Sequence, residues 1–371
     1  MSNPTHPALI TDLTISQLRE EISGAGEPAF RARQIIKWVY QKRVSSYDQM
    51  RNVAKKSREK LSAMYSVRKL TPTFVLESDA GDAVKFGFSA GNGPLIESVL
   101  LYDKKRRTAC ISSQLGCALG CVFCETARLG FIRNLTLHEI TGQLIAINDY
   151  IAEREDASIT NIVFMGMGEA LSNFDTFVSA VEIIMHEDGL NLGSRRITVS
   201  TAGVIPSIRK LRDTGLNLRL AISLNTYDDA LRDKIMPINR RYKIAELVQA
   251  ADDYARASGN PVTFEYVVIS GENDTAEAVG RLKKLLHRVS CKINLIPVNP
   301  LTDNRLHEPT EEALQSFARA LRNAGLAVTV RRSRGRDISG ACGQLAGNPR
   351  GRAIKDQEIR KRNHSESGAA G

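Results

Sequence analysis

Along this chain the spacing of apolar residues changes twice. In "TISQLREEIS" (14–23) and "AFRARQIIKWVYQKRV" (29–44) they recur at helical spacing, with Gly24, Gly26 and Pro28 breaking the run between them. The start of the chain therefore reads as a small helical unit. Between residues 72 and 101 the period shortens. "TFVLES", "AVKFGF" and "ESVLLY" are β-rich, are separated by "DAGD" and "AGNGP", and predict a small meander that leads into the main domain.

From about residue 108 short apolar strands alternate with helical stretches. Strands are predicted at "TACISS" (108–113), "NIVFMG" (161–166), "RRITVST" (195–201), "LRLAISL" (218–224), "VTFEYVVI" (262–269) and "CKINLIPV" (291–298), with helices such as "TLHEITGQLIAINDYIAE" and "IPSIRKLRDTG" between them. This alternation implies an α/β fold with a parallel sheet, open or closed into a barrel, whose chemistry sits where strands end. The polar residues that break the pattern fall at those ends: cysteines after the first strand, "GMGEA" after the second, "STAG" after the third, "SLN" after the fourth and "PVNP" after the sixth. The chain thus divides into a helical accessory unit with its meander (1–93), a catalytic domain (94–346) and a basic, mobile tail (347–371) too polar to bury a core. Within the catalytic part His138 reads as a helix-surface residue and Cys291 as a core residue.

The first twenty or so residues lack the charged and apolar regions of a signal peptide, and no stretch is long and apolar enough for a membrane span. The expectation is a cytoplasmic monomer without a membrane partner. In a reducing compartment, clustered cysteines read as metal-binding or catalytic rather than as disulfides. The formal charge is +10, and the excess is concentrated. Residues 41–60 hold seven Lys or Arg against two acids, and "KKRR" (104–107), "RRSRGR" (331–336) and the stretch 350–363 repeat the theme. A single run is an ordinary solvated face. Several in one chain attract a polyanion by releasing its counterions, which makes nucleic acid the natural partner.

Four of the six cysteines lie in "ACISSQLGCALGCVFCETARLGF" (109–131). Cys117, Cys121 and Cys124 form C-x3-C-x2-C. A structural zinc site wants four closed ligands. Cys110 is the available fourth, although it falls within the predicted strand while the others fall in the following loop. Three thiolates alone suit a four-iron cluster with one iron left open for chemistry.

The C-x3-C-x2-C loop, with Phe123 before its last cysteine, resembles the radical S-adenosylmethionine (SAM) superfamily, and "MGMGE" (165–169) is similar to that superfamily's glycine-rich segment. Six segments in order, "SSQLGCALGCVFCETARLGF", "MGMGEALSN", "RRITVSTAGVIP", "IMPIN", "CKINLIPVNP" and "RGRDISGACGQLAG", narrow the resemblance to the RNA adenine methyltransferases of the RlmN and Cfr type. The resemblance implies a partial (β/α)6-type radical SAM barrel with a small N-terminal helical accessory domain that binds RNA. It also implies one [4Fe-4S] cluster held by Cys117, Cys121 and Cys124, and two SAM molecules per turnover. By the same resemblance the SAM contacts fall on Gly168, Glu169, Ser200, Ser223, Leu224, Asn225 and Asn299. Cys342, Cys110 and Glu97 take the catalytic positions. The implied partners are 23S rRNA, tRNA, and an electron donor such as flavodoxin with its reductase.

Ring carbons 2 and 8 of adenine are not nucleophiles, so direct methyl transfer from a sulfonium is closed to them. The resemblance implies an indirect route in which Cys342 is methylated first, since thiolate is a good nucleophile. A radical derived from the second SAM takes hydrogen from the S-methyl group, and the resulting methylene adds to the ring. Glu97 is the implied proton acceptor, and a disulfide between Cys110 and Cys342 releases the methylated base. "CKINLIPVNP" and "AISLN" are closer to the RlmN type, which modifies carbon 2. Ala170 departs toward the Cfr type, which modifies carbon 8 and confers antibiotic resistance. A third reading is a nucleic-acid-binding protein with a structural zinc and no catalysis, which leaves Cys342 without a role.

Overall fold

The computed structural model describes residues 8–91, 93–299, 301 and 306–346, so the basic tail expected at 347–371 lies outside the described residues. Ten strands form one sheet: β1 (Pro72–Glu77), β2 (Ala83–Phe88), β3 (Ile96–Asp103), β4 (Arg106–Cys110), β5 (Asn161–Phe164), β6 (Ile197–Thr201), β7 (Arg219–Ser223), β8 (Val262–Val268), β9 (Cys291–Pro297) and β10 (Val328–Val330). In space they keep their chain order from one edge to the other. β1 to β4 are antiparallel, and every pairing from β4 onward is parallel. The meander is thus part of the large sheet, and a division at residue 93 falls between two of its paired strands.

Each parallel crossover carries a helix. The principal ones are Leu137–Ala152, Phe174–Met185, Ile205–Asp213, Ile244–Ser258, Ala276–Leu286 and Glu311–Asn323. Three of these start on a threonine whose side chain accepts from the backbone two or three positions into the helix: Thr136, Thr275 and Thr310. The strands alternate with period two. In β6, Ile197, Val199 and Thr201 are buried while Thr198 and Ser200 are only half-buried. The apolar face packs under the helices. The polar face turns inward, where Thr198, Ala221, Thr263 and Glu265 line a cavity of about 900 Å³.

Strand pairing does not close this barrel. Beyond β10 the chain crosses back over the gap. Arg334 donates to the Tyr102 carbonyl and pairs with Asp103 at 3.1 Å. Lys85 donates to the Ser339 carbonyl at 3.2 Å, and the Ala346 amide donates to Glu97 at 2.9 Å. Residues 331–346 therefore form a strap between β10 and the β2–β3 edge. Six helix-bearing parallel strands closed in this way match the expected partial barrel.

The N-terminal unit is built on the helices Ile15–Gly24, Phe30–Ile36 and Lys55–Met64, around buried Leu18, Ile22, Ile35, Ile36 and Leu61. It docks on the helix Leu137–Ala152. His138, expected on the helix surface, is buried there. It shares a 2.7 Å hydrogen bond with the Thr11 hydroxyl, and its amide donates to Asp12 at 2.9 Å. The helical period reports which residues share a face, not which face a second unit covers. Cys291 is half-buried against the main core.

Candidate active site

The loop after β4 is shaped by a two-stranded hairpin, Gln114–Gly116 with Phe131–Asn134. The Cys117 amide donates to the Gly130 carbonyl at 2.9 Å. Gly116 has φ +74, and a Cβ there would fall 1.8 Å from that carbonyl, so only glycine lets the two strands approach this closely. Cys121 and Cys124 close a turn through the Cys124 amide and the Cys121 carbonyl at 3.2 Å. The strap holds the loop from the other side: the Glu125 amide donates to the Gly343 carbonyl at 2.7 Å, and the Thr126 hydroxyl to the Leu345 carbonyl at 2.6 Å.

The three cysteines are half-buried. Burial pushes Cys117 up to about 12 and also raises Cys121 and Cys124. Cys121 is raised further by Cys124, Cys117 and Glu169, so without a cation beside them these thiols stay protonated and neutral. Buried thiolates that repel one another are stable only around a cationic centre. This donor set fits an iron–sulfur cluster. Among the described residues no three His, Cys, Asp or Glu side chains converge closely enough to hold a single metal ion. Cys110 stands apart from the trio: its electrostatic neighbours are Cys342 and Arg331.

Gly168 and Glu169 follow β5. Gly168 has φ +91, and a Cβ would meet the Gln114 Cβ at 2.3 Å. Gln114 in turn accepts from the Glu169 amide at 2.8 Å. The Glu169 carboxyl is buried. Its Oε2 accepts from the Ala202 amide at 2.9 Å, while Oε1 has no partner. Burial raises its pKa to about 7. An acceptor held in place without a donor beside a thiol loop fits the ammonium group of SAM. Asn299 repeats the pattern, donating to the Cys342 carbonyl at 2.9 Å with its own Oδ1 unpartnered. Ser200 and Ser223 lie half-buried at the ends of β6 and β7.

Leu224 is fully buried and contributes backbone only. The Asn225 side chain is committed elsewhere, donating to the Met236 sulfur at 3.1 Å and accepting from the Val267 amide at 2.8 Å. Glu97 is wholly buried in an ion pair with Lys85 at 2.9 Å, and its other oxygen takes the Ala346 amide. It lies two residues from Val99, which pairs with Cys110.

Cys110 and Cys342 line the same cavity. Burial, then the Cys342 sulfur, push the Cys110 thiol up to about 12. Two arginines complete the site, Arg232, which carries no sequence signature, and Arg331, which the sequence marked only as the start of a basic run. Arg331 lines the cavity, and its pKa is raised by Cys342, Glu265 and Cys110. Arg232 is fully buried and donates to the carbonyls of Ala202, Ser223 and Leu224 at 2.9, 2.8 and 3.0 Å. It ties the ends of β6 and β7 together.

Residues 111–282 match the radical SAM superfamily, and residues 9–67 match the ribosomal RNA large subunit methyltransferase N-terminal domain. The chain is 42% identical over 336 residues to the probable dual-specificity RNA methyltransferase RlmN of Desulforamulus reducens, covering 91% of this chain and 95% of the relative. The dual-specificity RNA methyltransferase RlmN of Pelobacter propionicus is also 42% identical, over 338 residues, with 91% and 95% covered. The crystal structure of a radical SAM methyltransferase from Sphaerobacter thermophilus superposes with a TM-score of 0.87 at 41% identity, covering 92% of this chain and all of that one. A half-buried C-x3-C-x2-C loop and a buried carboxylate with one free oxygen at the strand ends agree with that kinship, and the chain belongs to the RlmN family of radical SAM RNA methyltransferases.

Proposed function

We propose that this protein methylates carbon 2 of an adenosine in 23S rRNA, and in tRNA, through an S-methyl group carried on Cys342. The observation that supports this reading is that Cys342 and Cys110, far apart in sequence, open on one cavity, with the Cys342 sulfur near enough to raise the Cys110 thiol. When bound, the cluster and two SAM molecules per turnover supply the methyl group and the radical chemistry. Cys117, Cys121 and Cys124 would hold the cluster. Glu169, Asn299, Ser200 and Ser223 would position SAM, with the backbone at Gly168, Leu224 and Asn225 shaping its pocket.

Cys342 receives the methyl group and presents it to the base. Cys110 then bonds to Cys342, and this disulfide frees the methylated base. Glu97 accepts the ring proton. The oxygen that accepts the Ala346 amide is on the same carboxyl, so the proton acceptor and the strap are held together. An electron donor of the flavodoxin type restores the two thiols and reduces the cluster. The N-terminal unit adds RNA contacts, and the work is cytoplasmic.

The test is the Cys110→Ala variant incubated with rRNA and SAM under reducing, anaerobic conditions. It should accumulate protein covalently joined to RNA, as a slow-migrating species that nuclease collapses and that is absent from the Cys110→Ala, Cys342→Ala double variant. Normal turnover without trapped RNA removes the role given to Cys110. Mass spectrometry of adenosines from the parent reaction decides the atom. Methyl on carbon 8 would mean that Ala170, buried in the turn after Glu169, marks the other branch of the family.

A further inference from the structure

The cavity beneath the two thiols has two ends of different character. At the C-terminal ends of the strands the strap crosses it: the cysteine loop is bonded to Gly343 and Leu345, and Asn299 holds Cys342. At the N-terminal ends three cations stand on the inward face. Arg106 begins β4, Arg219 begins β7 and Lys292 is the second residue of β9, and all three are exposed. None is held in an ion pair among the described residues. The acids at this rim are engaged, Asp103 with Arg334 at 3.1 Å and Asp82 with the Ser78 hydroxyl at 2.9 Å. Glu265 lies deeper and accepts from Asn294 at 2.7 Å.

An ordinary barrel interior is filled with side chains. Here about 900 Å³ is open, near the upper end of the roughly 300–1,000 Å³ usual for ligand pockets. The space runs from three rim cations without an ion pair, of which Lys292 also acts on the Glu265 carboxyl, to Cys110 and Cys342 at its inner end. That is the layout for a nucleotide whose base points inward and whose flanking phosphates stay outside. Resting on the proposed RNA adenosine methylation, we propose that the RNA strand docks across the N-terminal mouth of the barrel, with its phosphates on Arg106, Arg219 and Lys292. The flipped adenosine then reaches the thiols from the side opposite the cysteine loop.

The experiment compares two triple variants of the full chain. Arg106→Gln, Arg219→Gln, Lys292→Gln removes the rim cations. Lys283→Gln, Lys284→Gln, Arg288→Gln removes as many exposed cations at the end of an outer helix. Affinity for an rRNA fragment and a tRNA transcript is measured over a salt series. The rim variant should bind about tenfold or more weakly at 0.1 M salt, with a log–log salt slope shallower by about 2, as expected for three lost phosphate contacts on single-stranded RNA. The outer variant should bind like the parent.

Equal losses in both variants, or parental affinity in the rim variant, would overturn the proposal. If the rim variant loses iron, the three single variants carry the comparison, each expected to weaken binding by twofold or more. Binding is read separately from product. A parent that binds RNA without methylating it would defeat the proposed function, whereas a methylating parent with an indifferent rim variant would defeat only this inference.

Discussion

Arg232 shows how much of this site depends on a residue buried behind its walls. It is wholly buried, and it answers mainly to carbonyls rather than to a carboxylate. Burial lowers its pKa to about 10, which leaves it charged at neutral pH. Arg232→Met would keep the volume and leave three buried carbonyls short of a donor, at about 1–3 kcal/mol each. We expect it to lose about 3 kcal/mol or more in urea unfolding, and Arg232→Lys to recover little, because one ammonium cannot span acceptors on two strand ends. The cysteines divide differently. Alanine at Cys117, Cys121 or Cys124 should each abolish iron incorporation on anaerobic reconstitution, whereas Cys110→Ala and Cys342→Ala should retain it. Loss of iron from Cys110→Ala would return the four-ligand zinc reading. The cysteine spacing made this trio legible in the sequence. Arg232 was not legible, because a buried arginine that bonds to carbonyls follows no period and no motif, and Arg331 was legible only as the start of a basic run, not as a cavity residue beside the two thiols.

At the scale of elements, the six strands expected from residue 108 onward are all present, because each is an apolar run closed by glycine or a polar turn. β10 was missed. It has three residues, and the arginines that follow it read as a charged surface run. The meander was legible as strands but not as part of the large sheet, since pairing between Val99 and Cys110 leaves no local trace. The helix Leu137–Ala152 has a testable pH dependence through His138. Burial lowers its pKa from the ordinary 6.5, so the folded protein favours the neutral ring. Asp12 and Glu139 oppose this shift and Arg68 adds to it. Stability from this contact is therefore fully present above pH 6.5 and declines as pH falls below it. The protein's Tm should drop on acidification from pH 7.5 to 5.5, with a smaller drop in His138→Gln. Identical pH profiles would remove His138 from the account.

For the whole molecule, the strap has a consequence in time. A ribosome makes residues 341–345 after nearly all of the barrel, yet those residues carry the thiol proposed to take the methyl group and hold the cysteine loop through Gly343 and Leu345. Until they dock, the nascent barrel has its three clustered cysteines in place and its open side uncovered. Iron insertion can therefore precede closure, and a segment synthesised after the barrel seals what has been loaded. A chain ending at residue 330 should still fold its parallel sheet by circular dichroism and still take up iron. It should lose that iron to a chelator many times faster than the full chain.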